Sequence, residues 1–105
     1  MRYNSRMEKI YQSFFYPSVK DFVERLPFKD SAKIWGTAET METGDLHSPK
    51  IKTLRGLIKE LIVRDFRIVF FIHEHIIHFV RAFRKKSAKT PRKEIEYAEQ
   101  VYKML

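Results

Sequence analysis

The chain has 105 residues, 44% of them hydrophobic and 14% aromatic, which fits one packed domain over residues 1–105 and excludes a disordered chain despite 32% charged residues. Twenty-one Lys and Arg against thirteen acids give a net charge of +8, which favours polyanionic partners, and the absence of cysteine excludes disulfide and thiolate chemistry. The longest apolar run, residues 66–80, carries Arg67, Glu74 and three histidines, and Met1-Arg2-Tyr3-Asn4 lacks a signal-peptide core, so no membrane partner and a cytoplasmic location are expected.

Residues 7–15 (MEKIYQSFF) are short, aromatic and β-prone, and predict a first strand. Pro17 suits the first turn of a helix that carries Val19, Phe22, Val23 and Leu26 at helical spacing and ends at Pro27. A second helix is expected from Asp30 as N-cap to Gly44, with Ile34, Trp35, Ala38 and Met41 on one face. After the polar loop 45–50 the pattern turns to β. Residues 51–63 alternate apolar and charged, with Gly56 marking a bulge or turn. Arg64-Asp65 is a tight connection. Residues 66–73 and 76–83 flank Glu74-His75 as a hairpin, and their near-continuous hydrophobicity predicts a central place covered on both faces.

Residues 81–93 (RAFRKKSAKTPRK) hold seven Lys or Arg and no acid. They run into a helix start in which Thr90 caps and Pro91 takes the first position, with Ile95, Ala98, Val101, Tyr102 and Leu105 as the apolar stripe. Positive charge beside a helix N-terminus suits phosphate. The expected order is β-α-α-β-β-β-α in one α+β domain.

Four pieces in this order resemble the RelE/HigB toxin superfamily, most closely its phage-derived Gp49-like, HigB-type branch. They are Leu54-Arg55-Gly56 with Glu60-Leu61, then residues 66–70 (FRIVF), then Phe83-Arg84-Lys85-Lys86 with Lys89-Thr90-Pro91, and finally residues 94–98 (EIEYA). Members often have Tyr where this chain has Phe70, His-Gly or His-His where it has Arg81-Ala82, and Thr where it has Ser87. The resemblance implies a small twisted antiparallel sheet with two N-terminal helices packed on one face and a C-terminal helix. It implies the toxin of a type II toxin-antitoxin system, an endoribonuclease or mRNA interferase that cleaves mRNA on the ribosome and so inhibits translation. The implied partner is a cognate antitoxin, helix-turn-helix and HigA-type, in a hetero-oligomer.

Cleavage of RNA by its 2′-hydroxyl needs in-line geometry, removal of the hydroxyl proton and stabilisation of the phosphorane and leaving oxygen. No carboxylate cluster here resembles a two-metal site, and His73-Glu74-His75 reads as a solvated turn rather than a zinc site, so neither a metal nor a cofactor is expected. A cationic route remains. Arg67 on an apolar strand is costly unless it faces a wet cleft or pairs with Glu60 or Asp65, and the resemblance implies that it contacts the scissile phosphate. Lys85, Lys86 and Lys89 are the other catalytic candidates, since a crowded lysine can move protons. Arg55, Lys59, Arg81 and Arg84 are expected to bind RNA, and Phe83 is core or a stacking platform. The alternative is a non-catalytic basic module of the same fold, a ParE-like gyrase poison or a nucleic-acid or ribosome binder.

Overall fold

The computed structural model describes residues 8–105. The elements are β1 (Gln12–Phe15), α1 (Pro17–Glu24), α2 (Phe28–Glu42), β2 (Lys50–Arg55), β3 (Ile58–Val63), β4 (Phe66–His73), β5 (Ile76–Arg84) and α3 (Arg92–Lys103). The α+β class and the position of every helix match the sequence reading, with one more strand than expected. Gly56, at φ 55°, allows a tight reversal, so residues 51–63 form the two strands β2 and β3 instead of one bulged strand. Met7, the start of the expected first strand, lies outside the described residues, and pairing begins at Gln12.

The five strands form one sheet in the order β1-β5-β4-β3-β2. All neighbours are antiparallel except β1, which joins the edge of β5 in parallel. β4 and β5 are therefore interior strands. Phe70, Phe71 and Phe79 on them are fully buried, as their unbroken hydrophobicity predicts.

The two faces are covered by different helices. Leu61, Val63, Phe66, Ile68, Phe70, Ile77 and Phe79 pack under α1 and α2, against Val19, Val23, Ile34, Ala38 and Met41. Val69, Phe71, Val80 and Ile58 face the other way, against Ala98, Ile95, Val101 and Tyr102 of α3. The sheet is thus a middle layer.

Two helix starts differ from expectation. Pro27 is the N-cap of α2, so the helix begins at Phe28 and Asp30 sits in its first turn. There the carboxylate favours the positive helix end and accepts a 2.7 Å bond from Arg64. Likewise Pro91, not Thr90, is the N-cap of α3, and the Thr90 hydroxyl is turned elsewhere. Gly44 ends α2 as expected. Its φ is 95°, its N–H donates to the Met41 carbonyl, and an added Cβ would lie 2.6 Å from Ile10 Cδ1.

Between β4 and β5 the register slips by one. Val69 pairs with Arg81 but Phe70 pairs with Phe79, leaving Val80 as the extra residue of a β-bulge. Val80 and Arg81 consequently both point toward α3, where Arg81 Nε meets Glu94 Oε1 at 2.7 Å.

Candidate nucleic-acid cleft

The bulge places the end of β5 beside the starts of β4 and α3, and a cleft opens between them. Its walls are Glu60 of β3, Arg67 of β4, Phe83 and Arg84 of β5, residues 85–91 of the connecting loop, and Lys93 and Glu94 of α3. The enclosed volume is about 160 Å³, room for several waters or for one compact polar group.

Each wall has a local cause. Arg67 pairs in register with Phe83 on β5, so both share the α3 face. The Arg67 Nη1 group donates to the carbonyls of Arg64 at 2.9 Å and Phe66 at 3.0 Å. Those bonds pin the guanidinium over the β3–β4 turn and leave Nε and Nη2 without a hydrogen-bonded partner among the described residues. The structural pair with Glu60 or Asp65 weighed from the sequence does not form. The loop is tethered at its start by Lys85 N–H donating to the Asp65 carbonyl at 2.6 Å. Within the loop, the Ser87 hydroxyl donates to the Lys89 carbonyl at 2.9 Å. At its end the Thr90 hydroxyl donates to Glu60 Oε1. No side chain caps α3, so its first N–H groups are left to solvent or to an anion.

Charge in the cleft is lopsided. Arg67, Arg84, Lys85, Lys86, Lys89 and Lys93 line it, against the carboxylates of Glu60 and Glu94. None of those six cations is ion-paired among the described residues, whereas Glu94 is neutralised by Arg81. The Arg84 guanidinium lies over the Phe66 ring at 4.8 Å, on the α1 side of the strand end, so Arg84 stands at the rim of the cleft.

The candidates named from the sequence therefore divide. Arg67, Lys85, Lys86, Lys89 and Arg84 come together at the cleft, and Phe83 joins them as a partly buried wall that also packs on the α3 core. Arg81 stands one step back. Its guanidinium is paired with Glu94 and lies over Tyr97 at 4.9 Å. Arg55 and Lys59 lie outside. Arg55 pairs with Glu99 on α3 at 3.0 Å, and Lys59, on the face of Leu61 and Val63, donates to Thr53. Glu60 and Thr90 were missed as site residues. The available signal is a lone acid whose neighbours on the same strand face, Ile58 and Ile62, are apolar, so that it must find a donor or a wet cavity.

The histidines are elsewhere. Glu74 and His75 occupy the hairpin turn with φ of 49° and 66°, so His73 and His75 do not share a strand face. His78 is buried, stacked on Phe71, with Nδ1 3.1 Å from the Tyr16 hydroxyl. Burial, and then the proximity of His73, push its pKa below the usual histidine value. Among the described residues no three His, Asp or Glu side chains converge as a metal site, and no helix is long and apolar enough to cross a membrane.

Comparison with known families agrees with this layout. The sequence model described as phage derived protein Gp49-like (DUF891) matches residues 21–103, most of the chain. The chain belongs to the phage-derived Gp49-like family, a RelE/HigB-type toxin family. No curated protein matches this Gp49-like chain in sequence. Its fold is that of RelE. A chain of the archaeal RelE–RelB complex from Pyrococcus horikoshii superposes with a TM-score of 0.66 at 13% identity, covering 75% of this protein and 99% of that chain. The RelB–RelE antitoxin–toxin complex from Methanococcus jannaschii gives 0.58 at 18% identity, over 80% and 95% of the two chains. The toxin–antitoxin complex RelBE2 from Mycobacterium tuberculosis gives 0.58 at 15%, over 71% and 98%.

In this Gp49-like protein the departures from the wider superfamily have visible consequences. Phe70 is fully buried under α1 and α2, so the missing phenol bears on the core and not on the cleft. Arg81, where relatives often carry histidine, serves to hold Glu94.

Proposed function

We propose that this Gp49-like protein is the toxin of a type II toxin-antitoxin pair and acts as an endoribonuclease on mRNA held in the ribosome. The observation that carries this reading is the cleft itself, in which Arg67, with donors unused among the described residues, faces a loop of lysines that have no ion-pair partners there. A bridging phosphate seated there meets a planar guanidinium, suited to two of its oxygens, and the ammonium groups of Lys85, Lys86 and Lys89. Such donors favour the phosphorane over the ground state, because charge accumulates on the equatorial oxygens as it forms. One lysine supplies the proton taken up by the departing 5′-oxygen. Arg84 and Lys93 extend the surface for flanking phosphates.

The partner on this reading is an acidic antitoxin segment of a HigA-type, helix-turn-helix protein. The solved relatives supporting it are themselves antitoxin complexes. The test is induction of the gene alone. Growth and translation stop, and mapped 5′ ends of mRNA show new cuts inside translated regions. Arg67→Ala, and Lys85→Ala combined with Lys86→Ala, relieve toxicity while far-UV circular dichroism stays unchanged. Intact mRNA together with DNA damage refutes the ribonuclease reading and favours gyrase poisoning on the same fold.

A further inference from the structure

Resting on the ribonuclease reading, we infer that Glu60 is the group that takes the proton from the attacking 2′-hydroxyl. Glu60 is only 3% exposed, on a strand whose other inward positions are apolar. A carboxylate so placed is unfavourable unless its oxygens are satisfied. One is, by the Thr90 hydroxyl. The other is neither hydrogen-bonded nor sealed from solvent, because the buried side-chain atoms without a partner among the described residues are Ser13 Oγ and His78 Nε2 alone. That second oxygen therefore opens to the cleft that Glu60 lines.

The other carboxylate of the cleft is already engaged. Glu94 is held by Arg81 at 2.7 Å, whereas Glu60 has no cation within ion-pairing distance among the described residues. Register fixes its relation to the phosphate-binding arginine. Glu60 pairs with Val69, so Arg67 is its diagonal neighbour on the same face of the sheet, roughly 7–8 Å away between backbones. That interval suits a ribose-phosphate unit with its phosphate on Arg67 and its 2′-hydroxyl on Glu60. The lysine loop runs along the same cleft from Lys85, tethered at Asp65 two residues before Arg67, to Thr90 at Glu60, so its first lysines stand at the Arg67 end, where the leaving oxygen needs a donor.

The step balances. The 2′-oxygen bonds to phosphorus as its proton passes to the Glu60 carboxylate. The P–O5′ bond breaks, its electron pair leaves on the 5′-oxygen, and a lysine ammonium protonates that oxygen. The products are a 2′,3′-cyclic phosphate and a 5′-hydroxyl. Thr90 is a positioning residue, since its hydroxyl fixes one carboxylate oxygen and aims the other.

The test is single-turnover cleavage of mRNA on programmed ribosomes as a function of pH, with wild type, Glu60→Gln and Glu60→Ala. Glu60→Gln keeps an acceptor for Thr90 and should fold, while cleavage falls about 10²–10⁴-fold with ribosome affinity unchanged. The acidic limb of the rate profile should vanish in the same variant. Added formate should restore roughly tenfold or more to Glu60→Ala by entering the vacated space as a surrogate base. Cleavage by Glu60→Gln within about tenfold of wild type overturns the assignment and leaves the nuclease standing. A slow variant that retains the acidic limb and ignores formate also overturns it, in favour of a structural carboxylate. Wild-type protein that leaves mRNA intact overturns both readings together.

Discussion

If the cleft lysines hold RNA, their number sets how steeply binding responds to salt. Six cleft cations without ion-pair partners among the described residues, offset by one carboxylate likewise unpaired among them, give about five phosphates neutralised and a slope of log affinity on log salt of roughly −3.5 for single-stranded RNA. Doubling the salt should then weaken binding about tenfold. Lys85→Ala with Lys86→Ala removes two of those charges. The slope should relax to roughly −2, and the same doubling should cost only about fourfold. The assay is fluorescence anisotropy with a 2′-O-methylated RNA oligonucleotide, which cannot supply the attacking hydroxyl and so stays intact.

Arg55→Ala with Lys59→Ala provides the decisive comparison. The sequence places these two residues on the same basic surface as the lysines, but the fold engages Arg55 with Glu99 and turns Lys59 to the opposite face. That pair should leave the slope within about half a unit of wild type. A wild-type slope shallower than about −1.5, or an equal relaxation from both double variants, refutes the assignment of RNA to this cleft.

Other parts of the fold make their own predictions. Glu94→Gln breaks a 2.7 Å pair whose acid is almost fully buried; because Arg81 is 37% exposed, the cost should fall below that of a sealed pair, at about 1–2 kcal/mol in urea unfolding, and an unchanged midpoint would discount the pair. His78 titrates below the usual histidine range because of burial and then His73, so between its folded and unfolded pKa values the unfolded chain binds the extra proton. Stability should be full above about pH 6.5 and decline as the pH falls toward the depressed value, and His78→Phe should flatten that dependence; an identical decline in the variant would assign it to other groups. His75→Gly relieves a side chain at φ 66° and should stabilise the hairpin by about 0.5–1 kcal/mol with toxicity unchanged, whereas a loss of toxicity would give His75 a role beyond the turn.

What was legible in the sequence follows from how local each signal is. Pro17, Pro27, Gly44 and Pro91 act within a few residues, so the helices are found to within a turn, and the phases of Val19, Val23, Ile34, Ala38 and Met41 identify their buried sides. The basic loop is legible for the same reason, since seven cations in thirteen residues cannot be buried. Thr90 shows the limit. Its type and place beside Pro91 fit a cap, but the hydroxyl has a better partner in Glu60, thirty positions earlier, which only the sheet brings near. The sequence offers Glu60 as a salt-bridge partner and not as a site residue, because strand register decides what an acid meets. Arg55 and Lys59 failed to join the cleft for the same reason.

The β-bulge at Val80 is the part with no local signal, and the cleft depends on it. Residues 76–83 are apolar almost throughout, so one extra residue leaves the hydrophobic pattern unchanged. Under strict alternation Phe79, Arg81 and Phe83 would all face α1 and α2, which would bury a guanidinium in the main core. The bulge leaves Phe79 in that core while turning Arg81 and Phe83 to the face of Glu60 and Arg67. The strand end that feeds the lysine loop thereby approaches α3 from the side where Glu94 can hold Arg81. Deleting Val80 leaves a regular ladder in which Phe79 still pairs with Phe70 and Arg81 with Val69, so Arg81 should keep Glu94 and the cleft should keep its RNA binding and salt slope, while the chain loses the packing of one buried valine. Loss of binding in a deletion whose α1–α2 side still shows protected amides in hydrogen exchange would mean that the facing of Arg81 and Phe83 is not what sets the site.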